Sequence, residues 1–338
     1  GGASIEASGQ GGAQLHRLHQ SHGLVESLSI SEVKMRVLLT GATGFVGRGL
    51  LERMPALVNV EVVAALRRPV SGFPEHVTCL QIGVVIHSAA RVHVMHDQAA
   101  EPLAAFRKVN VGGTLNLARQ AAAAGVRRFV FISSIKVNGE GTSGGVPYLA
   151  DDQPAPSDPY GISKMEAEQG LRALAAESGM EVVVIRPTLI YGPGVKANFL
   201  NMMRWLDKGM PLPFGAIHNR RSLVALDNLV DLIVTCIDHP GAANRTFLVS
   251  DGEDLSTTEL LRRMGEALGK PARLLPVPSR LLEAGAAMLG RQALSQRLCG
   301  SLQVDISKTR ELLSWYPPVS VDEALRKTAK HFLEHQSK

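Results

Sequence analysis

The chain has 338 residues, of which 45% are hydrophobic and 20% charged, the balance of an ordinary globular enzyme with a sizeable core. Its net charge of +5 is spread along the chain and suits an anionic ligand. The isolated pairs Arg67-Arg68 and Arg220-Arg221 form no nucleic-acid-binding block, and no run of about 18 apolar residues marks a membrane span.

Residues 1–34 are rich in Gly, Ser, Gln and His without a sustained apolar period. They read as a flexible extension, in which His16, His19 and His22 build no rigid metal site, with Met35 as a natural start. Met35–Thr40 is a short apolar run, expected to be a buried parallel strand. A glycine-rich turn follows, then a helix to about residue 56. Val60–Leu66, Val77–Ile82 and Val84–Ala89 read as further strands. The long alanine-rich stretch Glu101–Ala124 predicts one helix, ended by Gly125. Arg128–Ser133 and Glu181–Arg186 are strands. Between them, Asp158 caps a helix that has Pro159 at its first position.

Strands alternating with helices predict an α/β fold: a Rossmann-type doubly wound parallel sheet. Residues 35–190, with later returning segments, form the dinucleotide-binding domain; 191–338 form mainly a smaller C-terminal lobe for substrate. One join is awkward. A single residue, Gly83, separates two expected neighbouring strands, whereas a parallel crossover needs a dozen or more residues. Either one run is not a strand of that sheet or the sequence lacks residues there; the second reading is preferred. Cys79, Cys236 and Cys299 show neither disulfide nor metal spacing and point to a reducing, cytoplasmic setting.

Gly41, Gly44 and Gly47 are spaced G-x-x-G-x-x-G between a strand and a helix. Glycine there allows a tight turn and close approach to a pyrophosphate, which meets the helix N-terminus. The end of the second strand carries no carboxylate for an adenosine ribose; it reads Leu66-Arg67-Arg68-Pro69. Arg67 or Arg68 can pair with a 2′-phosphate, so NADP(H) is preferred, with NAD(H) as the alternative. Tyr160 and Lys164 lie four apart on one helix face. An ammonium nearby favours the phenolate, and the phenol can then exchange a proton with a carbonyl or alcohol as hydride moves. Ser134 is placed to hold the substrate oxygen, with Ser133 as its rival.

The segments TGATGFVG (Thr40 to Gly47, including Thr43, Phe45 and Val46), VNVGGTLN, FVFISSIKVNG, YGISK and RPTLIYGPG resemble the extended short-chain dehydrogenase/reductases, in the nucleotide-sugar epimerase/dehydratase branch. The resemblance covers about Met35 to His335. It implies that Ala89 and Ala90 line the cofactor cleft, that Asn110 shapes the active site, and that Ser133, Pro187 and Thr188 approach the cofactor. It further implies a UDP-sugar site with Asn198 and Arg220 at the diphosphate and Phe214 at the uracil, and a homodimer formed by the helices at 101–124 and 159–177. The Thr-Asp-Glu of sugar dehydratases is replaced by Ser134, Ile135 and Lys136, which argues against dehydration. Asn138 stands where galactose-type epimerases usually carry tyrosine.

The resemblance points first to a reductase of a 4-keto UDP-sugar, giving a UDP-N-acetyl-quinovosamine-type product for lipopolysaccharide or another surface polysaccharide. The alternative is a UDP-glucose or UDP-N-acetylglucosamine 4-epimerase with tightly bound NAD. A non-catalytic NADP(H)-binding regulator is a further alternative.

Overall fold

The computed structural model describes residues 14–17, 35–57, 59–66, 82–92, 101–288, 290 and 292–335. The chain divides into two compact units. The first contains the chain up to Val137, Pro156–Arg186 and Ile233–Thr246; the second contains Asn138–Ala155, Pro187–Leu232 and the remainder from Phe247. Residues 138–155, expected within the dinucleotide-binding domain, thus belong to the second unit, and 233–246 return to the first.

The first unit is built on a sheet. Its strands are β1 (Gln14–Arg17), β2 (Met35–Thr40), β3 (Val60–Leu66), β4 (Val84–His87), β5 (Arg128–Ile132) and β6 (Glu181–Pro187). They run in the spatial order β1-β3-β2-β4-β5-β6. All neighbouring pairs are parallel except β1 with β3. Every residue of β4 and β5 is buried, as expected for parallel strands covered on both faces. Strand β1 was not foreseen: residues 14–17 of the supposed flexible extension pair with the edge of β3, Gln14 opposite Leu66.

The awkward join falls just before β4. Ile82 and Gly83 lie in no strand. Gly83 instead leads into β4, donating its N–H to Arg36 O at 2.9 Å and accepting from Arg127 N at 3.0 Å. The stretch between Leu66 and Val84 is long enough for a crossover from β3 to β4 over β2. The rest of the expected third strand, 77–81, lies outside the described residues.

Helix α1 (Phe45–Arg53) follows the glycine turn. The stretch expected as one helix is interrupted: α2 (Pro102–Phe106) and α3 (Thr114–Ala123) flank a π-helical segment, Arg107–Gly113. The adjacent Gly112 and Gly113 put little side-chain bulk in the way of the wider winding, and such bulges gather at functional sites. Gly125, at φ +75°, follows the helix end as predicted.

Helix α4 (Pro159–Ser178) begins as its sequence requires. Asp158 accepts a hydrogen bond from Gly161 N at 2.6 Å, and Gly179 ends the helix in the left-handed conformation. Val85, Ala118, Phe129, Phe131, Ala167, Leu171 and Val184 meet in the core beneath α3 and α4. The returning segment is tied down by Arg128, itself 1% exposed, which donates to the carbonyls of Cys236 (2.9 Å) and His239 (3.0 Å).

The second unit holds a small sheet in the order β10-β8-β7, with β7 at Leu189–Tyr191, β8 at Arg221–Ala225 and β10 at Asp254–Leu255; β9 is Thr246–Val249. Its helices are α5 (Ala197–Asp207), α6 (Leu226–Asp238, shared with the first unit), α7 (Thr257–Ala267), α8 (Ser279–Met288), α9 (Gln292–Cys299), α10 (Ser307–Leu313) and α11 (Val321–His335). Ser256 caps α7 by accepting from Glu259 N at 3.0 Å, a Ser-x-x-Glu start. Among the described residues no helix is long and apolar enough to cross a membrane.

Candidate active site

The glycine turn is sterically obligatory. Gly41 has φ +73°, and a Cβ there would lie 2.6 Å from Ala89 N and 2.7 Å from Ser88 C. A Cβ on Gly47 would collide with Gly41 O. Gly44 donates to Gly41 O at 2.8 Å and becomes the N-cap of α1 without any side-chain cap. Thr43 belongs to this turn, and Phe45 and Val46 open α1. The first amides of α1 are therefore left to meet an anion. Backbone without side chains, packed onto Ala89 and next to Ala90, fits a dinucleotide pyrophosphate. Arg67 and Arg68 lie outside the described residues.

Below this turn sits a buried imidazole that the sequence reading passed over. His87 bonds Thr40 Oγ1 at 2.6 Å and Thr114 Oγ1 at 2.9 Å, and stacks on Phe131. Burial, then the charge of Lys164, pushes it down to about 3. A neutral ring thus links β2, β4 and α3.

Asn110, 1% exposed, lies in the π-helical segment. Its Oδ1 accepts from Arg91 N at 2.8 Å, while its Nδ2 donates to Arg91 O at 3.1 Å and to Ser163 Oγ at 3.0 Å. Ser163 in turn donates to Tyr160 O at 2.8 Å. Asn110 therefore fixes the turn after β4 against α4.

The structure brings Ser134, Tyr160 and Lys164 together in the first unit. Ser134 acts on the Tyr160 phenol, favouring its ionised form. Ser133 is no rival for that role: it is 3% exposed and donates to Glu168 Oε1 at 2.6 Å. Phe106 meets the tyrosine ring edge-on, with centroids 6.0 Å apart. Burial, then Asp158, pushes the Tyr160 phenol up to about 12, opposed by Ser134. This is opposite to the lowering expected from Lys164. The lysine Nζ is 5.9 Å from the Tyr160 ring centroid but 4.5 Å from that of Phe131, and it donates to Ile132 O at 2.8 Å. Lys164 is 2% exposed; burial lowers it to about 7, against a raising effect of Glu168.

Lys136, in the position of the dehydratase glutamate, is ion-paired with the helix-capping Asp158. It offers no carboxylate for water elimination. Asn138, in the second unit, is 2% exposed and donates to Leu149 O at 2.9 Å.

Of the expected substrate residues, Ser134 lies in the first unit and Asn198, Phe214 and Arg220 in the second. Asn198 is exposed in the first turn of α5, whose N-cap is Lys196. Phe214 is half-buried, and its carbonyl accepts from Thr258 Oγ1 at 2.6 Å. Arg220 is exposed just before β8; its N–H donates to Ser301 Oγ at 3.0 Å. Pro187 ends β6. Thr188 is 4% exposed, and its hydroxyl donates to Val249 O at 3.3 Å. Among the described residues no group of three His, Cys, Asp or Glu side chains could hold a metal ion.

Comparison with known proteins agrees with this geometry. Residues 37–250 match a family model described as the NAD dependent epimerase/dehydratase family. A UDP-glucose 4-epimerase from Vibrio cholerae is 51% identical over 315 residues, covering 88% of this chain and 95% of that protein. A GDP-6-deoxy-D-mannose reductase from Pseudomonas aeruginosa is 26% identical over 309 residues, covering 86% and 95%. Among solved structures, RMD from Pseudomonas aeruginosa complexed with NADPH has the same fold, with a TM-score of 0.70 at 22% identity over 89% of this chain and all of that one. An obligatory glycine turn, a Tyr-Lys pair with its serine, and a family match across the sheet and part of the second unit lead to one assignment: the chain belongs to the NAD dependent epimerase/dehydratase family.

Proposed function

We propose that the protein is a UDP-hexose 4-epimerase acting on UDP-glucose or its N-acetylated analogue. One observation carries the reading: 51% identity to the Vibrio cholerae UDP-glucose 4-epimerase across 95% of that relative. It places the epimerase ahead of the 4-keto-sugar reductase that the sequence alone put first. The reductase remains the second reading, favoured by the sequence match to the GDP-6-deoxy-D-mannose reductase.

When bound, a nicotinamide ring supplies reversible hydride acceptance. Tyr160 takes the proton of the sugar hydroxyl at carbon 4 and later returns it. A phenol held near 12 stays protonated at neutral pH, so cationic help is needed to expose the phenolate, and Lys164 is the chain's own source of it. Ser134, which acts on the same phenol, holds the sugar oxygen. The keto sugar rotates between the two proton transfers, which inverts the carbon. Asn198, Phe214 and Arg220 would hold the UDP portion. A cytoplasmic location, a homodimer and a role in surface polysaccharide synthesis belong with this reading.

Pure protein given UDP-galactose, with no added cofactor, should produce UDP-glucose and stop at an equilibrium mixture. Stoichiometric NADPH loss with a 4-keto UDP-sugar, and no interconversion of the hexoses, would establish the reductase instead. Cofactor binding with neither reaction would indicate a regulator. Arg67 and Arg68, with no carboxylate at the end of β3, support NADP(H) over NAD(H). Titration of protein stripped of dinucleotide should show tighter binding of NADPH; a tenfold preference for NADH refutes this part.

A further inference from the structure

The mechanism above leaves one buried charge without a task. Glu168 is fully buried at the centre of the first unit. It accepts from Ser133 Oγ at 2.6 Å, from Arg186 Nε at 2.9 Å and Nη2 at 2.6 Å, and from Arg172 Nη2 at 3.1 Å. An ionised carboxylate in such a place costs several kcal/mol in lost hydration, and its partners only partly offset that cost. An apolar side chain of similar size would pack there more cheaply.

Its position gives a reason for it. Tyr160, Lys164 and Glu168 follow one another at intervals of four along α4, so they form one stripe on one helix face. The same carboxylate reaches β6 through Arg186 and the end of β5 through Ser133, the residue before Ser134. We propose that Glu168 is a positioning residue: the fixed counter-charge that keeps Lys164 an ammonium, and the anchor that holds the serine strand end against the catalytic helix. The inference rests on Tyr160 and Lys164 being the catalytic pair.

Among the charged groups around Lys164, Glu168 is the one that acts to raise it. Strand β4 presents His87, held neutral by burial. Strand β5 presents only the Phe131 ring and the Ile132 carbonyl. Strand β6 contributes Arg186, a like charge already engaged by Glu168. Helix α4 itself carries Tyr160, Glu166, Glu168, Arg172 and Glu177, of which Glu166 is ion-paired with Arg107. The one influence raising Lys164 against burial comes from Glu168.

The test reads Lys164 directly. Protein labelled at the lysine ε-carbon is titrated by NMR, and the Lys164 signal is assigned by its loss in Lys164→Arg. In Glu168→Gln the midpoint should fall by about one pH unit, the lower end of what a close opposite charge supplies. Arg172 is about half exposed, so Arg172→Met should fold even if Glu168→Gln does not. It removes a positive partner of Glu168 and should move the midpoint the other way, upward. Glu168→Asp should restore the midpoint toward that of the parent. Midpoints that stay put in both Glu168→Gln and Arg172→Met would overturn the inference. A loss of stability alone, without those opposite shifts, would also overturn it, because it would mark Glu168 as merely structural. The kcat/KM profile of the same variants separates the two ideas: if it ignores a Lys164 midpoint that has moved, the catalytic reading of Lys164 fails while the charge relation holds.

Discussion

Tyr160→Phe is expected to lower epimerase turnover by about 100- to 10,000-fold, the usual worth of a positioned proton donor and acceptor. The substitution removes a single oxygen. It leaves the ring, and hence the edge-on contact with Phe106, the Ser163 bond to the Tyr160 carbonyl and the Asp158 cap of α4. Dinucleotide loading should therefore persist, with KM changed far less than kcat. The check is steady-state kinetics on variant protein whose bound dinucleotide has been quantified after release. A variant retaining half the parent rate would show that the proton travels by another group.

Arg186→Met should produce the largest loss of stability among single substitutions at the site. Arg186 is 1% exposed and gives both Nε and Nη2 to Glu168. Methionine matches much of its volume but leaves the carboxylate with Ser133 and the partly exposed Arg172. Stranding a buried charge in this way costs about 3–5 kcal/mol. For a chain of this size that corresponds to a fall in Tm on the order of 10 °C, measurable by differential scanning calorimetry. The double variant Glu168→Gln/Arg186→Met removes both charges together and should recover part of the loss, because nothing is then left unpaired. If the double variant is less stable than Arg186→Met, the pair is not the source of the effect.

Much of the fold was legible because apolar runs bounded by glycine and proline report buried parallel strands directly. Met35–Thr40 and Val60–Leu66 coincide with β2 and β3, and Asp158 with Pro159 opens α4 as expected. The site was legible where chemistry demands particular residues: the glycines of the turn, and the Tyr-Lys pair with Ser134. Less readable were features set by contacts distant in sequence. Nothing local distinguishes Ser133 from Ser134; only Glu168, 35 positions away, claims one hydroxyl and leaves the other for the phenol. His87 is a lone polar residue in an apolar strand, and its two threonine partners lie on other elements. Glu168 itself continues the stripe of Tyr160 and Lys164, a signal that could have been read from spacing alone. A four-residue spacing says that two side chains share a face, not which atoms meet: Lys164 Nζ lies nearer the Phe131 ring than the Tyr160 ring.

The π-helical turn between α2 and α3 has an evolutionary corollary. It accommodates one more residue than a regular turn would, so removing a single residue from 107–113 could yield a longer uninterrupted α-helix. The flanking helices would keep their register, and the change would fall on the segment itself, where Asn110 bonds Arg91 and Ser163. Insertions and deletions at this point are thus screened by catalysis rather than by folding, and lineages that tolerate one should be those that have abandoned the reaction.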